Sequence, residues 1–140
     1  MPESQKAPRI IPIIAIVNGV AAVLHIVVWS LAFLKLPWWK DATSETLQMD
    51  LLVTYGLGIA DLVWSTPLLA FAAVYGWKRK QSGWLAAQMA NVLWGYSFTF
   101  ILFREISLGA IRPGTMLLFP FAVFALCSAV YLWKYRRFFD

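Results

Sequence analysis

Four apolar runs, at 10–34, 51–75, 84–103 and 116–133, fix what this chain can fold into. Each is close to the roughly 20 residues that a helix needs to cross ~30 Å of hydrocarbon. The connections, at 35–50, 76–83 and 104–115, are too short to hold a soluble domain. Of 140 residues, 61% are hydrophobic and 14% charged, and the mean hydropathy is +0.67, outside the balance of a water-soluble domain. The expectation is all-α: one domain over 1–140, an integral membrane four-helix bundle whose solvent is the lipid bilayer.

The first run follows Lys6 and Arg9 and so begins like a secretory signal. Its 25 apolar residues exceed the roughly 7 to 15 of a signal's apolar core, and no small-residue cleavage site follows. An uncleaved helix is expected. Cys127 is the single cysteine, so no disulfide forms within one chain and no cysteine-rich metal site exists. One histidine excludes bis-histidine haem within a chain, and no cluster of His, Cys and acids suits a metal. No cofactor is expected.

Charge gives the orientation. With the N-terminus inside, Lys6, Arg9, Lys78, Arg79, Lys80, Lys134, Arg136 and Arg137 face the cytoplasm, while Lys35, Lys40, Arg104 and Arg112 lie outside. Eight of the 12 basic residues therefore favour N-in, C-in, in a plasma (inner) membrane. The net charge of +5 expresses this topology rather than affinity for nucleic acid, which is not an expected partner. The clusters "KRK" and "KYRRFF" each fall short of the 4 to 8 basic residues of a lipid-recognition cluster. Trp38, Trp39, Tyr75, Trp77, Trp84, Trp133 and Tyr135 fall near span ends, where amphipathic rings favour the interface.

Inside the spans, polar residues recur on stripes when placed at 100° per residue. Asn18, Ala22, His25 and Trp29 share one stripe; Thr54, Gly58, Asp61 and Ser65 share another; Trp84, Gln88, Asn91, Gly95 and Thr99 share a third. Polar faces in hydrocarbon turn inward, so the first three helices are expected to enclose a polar seam and the fourth to act as a packing wall. At about 1.5 Å rise per residue, His25 falls about 4 to 5 Å and Asp61 about 2 to 3 Å outward of the span midpoints, with Asn91 slightly inward. Gly56 and Gly58 are expected to admit a neighbouring helix. Ser44 and Thr46 are candidate helix caps. Arg104 and Glu105, at the outer edge of the third span, read as snorkelling or solvated charges.

Asp61 is the centre of interest, because an intramembrane ionisable group marks a functional site by default. It stands either as a neutral, hydrogen-bonded structural acid or as a group that exchanges protons. Pro67 lacks an N–H, which frees the carbonyl of Val63 and is expected to kink the helix beside Asp61. The candidate site residues are Asp61, His25, Asn91, Ser65, Gln88, Asn18 and Trp64. Gln88 and Asn91 read more readily as interhelical fasteners, and Trp64 and Trp94 by default as packing residues.

Three functions fit. A polar cavity with a central acid suits proton-linked binding or transport of a small molecule, in which case so small a chain is expected to form a homodimer. A seam that only pins helix register suits an accessory or assembly subunit of a larger membrane complex. His25 and Asp61 as acid and base suit an intramembrane enzyme acting on an apolar or lipid substrate, although no reaction is specified.

Overall fold

The structure, a computed structural model, describes residues 8–109, 111 and 113–140, the side chains at 113, 114 and 117 excepted. Lys6 and Arg112 lie outside the described residues. All regular structure among these is helical: α1 (Ile10–Lys35), α2 (Glu45–Ala60), α3 (Thr66–Trp77), α4 (Gln81–Ser107) and α5 (Pro113–Lys134). A π turn, Asp61–Ser65, joins α2 to α3, so that 45–77 is one long helix with a widened centre. Short 3-10 turns occupy Trp39–Asp41, before α2, and Arg136–Phe138, after α5.

Three helices, Ile10–Asp41, Glu45–Trp77 and Gln81–Ser107, are long and apolar enough to cross a membrane. The apolar part of α5, Leu118–Lys134, is shorter, and Pro120 interrupts its donor series. Large apolar side chains point outward along every helix, among them Ile16, Val23, Val63, Met89, Val92, Leu126 and Val130. Asn18, Ser65, Asn91 and Ser128 are buried instead. Apolar outside and polar inside is the arrangement that lipid-facing helices require.

Neighbouring helices pack in the order α1, α3, α4, α5. Small residues bring them together: Ala21 and Ala22 of α1, Ala90 of α4 and Ala125 of α5 are buried around Leu69 and Trp94. A second cluster, Ile11, Ile14, Ala72, Ala86, Ala87, Leu132 and Phe139, closes the end that holds the start of α1 and the chain's last residues. There the α3–α4 turn is sharp. Lys80 N–H reaches the Tyr75 carbonyl at 2.9 Å and Arg79 N–H the Gly76 carbonyl at 3.0 Å, with Arg79 left-handed at φ 55°. This is the paired bonding of a Schellman helix end, made without its usual glycine. Gly83 then lies so close to Gly76 and Tyr75 that a Cβ would strike their backbone. Asp140 N–H donates to Arg79 and Gln81 N–H to Asp140, tying the last residues to the same turn.

At the opposite end, α2 stands off from α1 and α4, and side chains carry the contact. Rings fill the space: Phe33 stacks on Tyr55 at 5.3 Å, and Trp39 meets Tyr55 at 5.4 Å. Gly58 permits this, because a Cβ there would strike Trp29 Cε3 and lie 2.6 Å from Phe33 Cζ. Gly56, expected to admit a helix as well, has no atom within 4 Å of its added Cβ; it lies off the stripe that faces α1. Ser44 does cap α2, its hydroxyl accepting from Leu47 N–H at 3.3 Å, whereas Thr46 lies inside the helix.

Candidate functional site

The site begins with Pro67. In an α-helix its ring would press on the Val63 carbonyl, and no N–H would be there to use that carbonyl. The chain resolves this by widening rather than by a simple kink: Thr66 N–H donates five residues back, to the Asp61 carbonyl. The π turn takes in one extra residue and displays the Asp61 side chain where the helix changes pitch. Turns of this kind occur frequently at functional sites.

Asp61 is half-buried, and both of its carboxyl oxygens have partners. Trp29 Nε1–H donates to Oδ2 at 3.0 Å, from α1. Ser65 Oγ bonds Oδ1 at 3.0 Å, from one turn along the same helix. The two partners differ chemically. An indole can only donate, while a hydroxyl can donate to a carboxylate or accept from a protonated acid. These partners suit a carboxylate and a protonated acid alike, since the Ser65 hydroxyl can turn from donor to acceptor while the Trp29 bond is kept.

His25, one turn before Trp29 on α1, is half-buried and stacks on Trp94 of α4, ring centroids 5.4 Å apart and planes within 9°. No hydrogen bond joins it to Asp61, whose two carboxyl oxygens are engaged by Trp29 and Ser65. Its Nδ1 is buried without a protein partner. Asn18 lies two turns from His25 toward the start of α1, only 3% exposed.

Asn91 and Gln88 face elsewhere. Asn91 Nδ2 donates to Ser128 Oγ at 3.2 Å, and Gln88 Nε2 to the Ala129 carbonyl at 3.0 Å. With Trp84 Nε1, which donates to the Leu132 carbonyl at 3.0 Å, they form a ladder that fastens α4 to α5. At about 0.6 kcal/mol per interhelical bond, the ladder sets register more than it adds stability. The fourth helix thus takes part in the seam, which the sequence had enclosed within the first three. Trp64, 66% exposed, lines a lateral groove together with Leu68, Gln88, Met89 and Val92.

Sequence reasoning missed two residues. Trp29 stood on the correct stripe but was not singled out as a site residue; its place one turn from His25 was the available signal. Glu105, expected to be solvated, is 2% exposed, and beside it Arg104 meets Asp50 at 3.6 Å. A polar seam therefore continues to the far end of α4, where a side-chain stripe gave no warning because Glu105 lies outside it. Among the described residues, no group of three His, Cys, Asp or Glu comes together to hold a metal. Comparison with family models, with curated proteins and with solved structures finds no match for this chain.

Proposed function

We propose that this chain is an integral four-helix membrane bundle, both termini cytoplasmic in a plasma (inner) membrane, that binds or transports a small molecule in linkage with a proton on Asp61. The observation that carries the reading is the partner pair of Asp61. One obligate donor and one reversible hydroxyl accommodate both protonation states without repacking. The π turn and the neighbouring His25 add a widened backbone and a second titratable group. In support of the orientation, exposed Arg9, Lys78, Arg79, Lys80, Lys134, Arg136 and Arg137 gather at one end of the molecule. The cavity beside Asn18 and Asn91 measures only about 10 Å³, which favours a homodimer or a partner chain to complete a ligand site.

A thermal-shift screen of small molecules in nanodiscs at two pH values tests the proposal. A compound class whose shift depends on pH in the native protein, and not in a folded Asp61→Asn variant, is expected. Asn is isosteric and satisfies Trp29 and Ser65 while carrying no exchangeable charge. Shifts insensitive to pH and to the variant would refute proton linkage.

The assembly reading has one observation in its favour: Trp84, Gln88 and Asn91 each donate a hydrogen bond to α5, the use that helix fasteners make of polar side chains. Co-purification with a larger membrane complex, without any ligand response, would favour it.

A further inference from the structure

Between α1, α3, α4 and α5, on the side of His25 toward the start of α1, lies a cavity of about 10 Å³ against Asn18, Leu69, Asn91, Trp94 and Phe121. Two of its lining groups are donors with no protein acceptor: Asn18 Nδ2 and Trp94 Nε1. Both residues are more than nine-tenths buried, at 3% and 8% exposure. An unsatisfied buried donor costs roughly 1 to 3 kcal/mol, and two beside one cavity call for a shared acceptor.

We infer that this cavity is a binding site for one water molecule, held by Asn18 and Trp94. Size and chemistry select water. About 10 to 15 Å³ is the least space in which one water fits, so an organic ligand or a hydrated ion is excluded. Two N–H donors repel a cation, and no basic side chain is present to neutralise an anion. Asn91 completes the set: with its Nδ2 given to Ser128, its remaining polar atom is a carbonyl oxygen, the acceptor that a water's own hydrogen requires. The water then joins α1 to α4, and through Asn91 and Ser128 to α5, extending the polar seam inward past the His25–Trp94 stack. Its presence does not depend on whether Asp61 exchanges protons.

Indole ¹⁵N–¹H spectra of tryptophan-labelled protein in nanodiscs test the site, with the Trp94 resonance assigned by its loss in Trp94→Phe. Expected is a water cross-peak to the Trp94 indole proton with the sign of a long-lived, immobilised water. In Asn18→Leu that cross-peak should fall at least several-fold while the His25 ring signals keep their stacked positions. A native Trp94 indole proton with no such cross-peak would overturn the inference, and this arm needs no variant to fold. A cross-peak unchanged in a folded Asn18→Leu protein would overturn the role of Asn18.

Discussion

Adding one methyl group at Gly58 is expected to disable the Asp61 site from a distance. The new Cβ would lie 2.7 Å from Trp29 Cζ3 and 2.6 Å from Phe33 Cζ, whereas carbon atoms rest at about 3.4 Å or more. Trp29 Cε3 lies closer still, so the indole must retreat by about 1 Å from the helix that carries Asp61. Its Nε1 bond to Oδ2, 3.0 Å long, then stretches beyond hydrogen-bonding range. Overpacking costs about 1 to 3 kcal/mol and the lost bond about 1 to 3 more, so Gly58→Ala should destabilise by roughly 2 to 6 kcal/mol. Gly56→Ala is the control. Its Cβ meets nothing within 4 Å, and replacing a helix-interior glycine should be neutral or gain up to about 1 kcal/mol. Thermal unfolding in nanodiscs, followed by near-UV dichroism, compares the two. Equal stabilities and unchanged tryptophan signals would refute the reasoning that Gly58 exists to seat Trp29.

Four further outcomes are expected. Gly83→Ala should disrupt the α3–α4 turn, since the added Cβ meets backbone rather than a movable side chain, and a large drop in thermal midpoint should show it. Gln88→Ala should cost about 0.6 kcal/mol, at most about 2, by removing one rung to α5, with the Trp29 indole signal unmoved. Arg104→Gln should cost about 1 to 3 kcal/mol, because its 3.6 Å contact with Asp50 is largely shielded from water, with little dependence on salt when unfolding is measured by denaturant titration. Cys127, exposed on α5, should resist a charged, membrane-impermeant thiol reagent in intact vesicles and react once detergent is added; full labelling without detergent would contradict burial in lipid.

Much of this was legible from spacing. The runs at 10–34, 51–75 and 84–103 lie inside the observed helices, and the Asp61–Ser65 contact follows from one helical turn. Gly58 shared the Asp61 stripe and does face α1. Other features depend on how helices meet, which periodicity does not encode. That Trp29 serves Asp61, and Asn91 and Gln88 serve α5, follows from rotational settings fixed by Ala21, Ala22, Ala90 and Ala125 at the contacts. Pro67 announced an irregularity, but the choice of a π turn over a kink reflects the packing that holds 61–65 on α1. Glu105 misled because its place near a span end resembles a solvated charge, whereas its side chain turns inward.

The most direct measurement is the pH dependence of the Trp29 indole ¹⁵N–¹H resonance in nanodiscs, native protein against Asp61→Asn. Trp29 donates straight to the carboxyl group, so its proton registers any change of charge there. A resonance that moves with pH in the native protein and stays fixed in the variant is the expected result. A resonance equally fixed in both, with the fold intact, would make Asp61 a static structural acid and contradict proton linkage at this site.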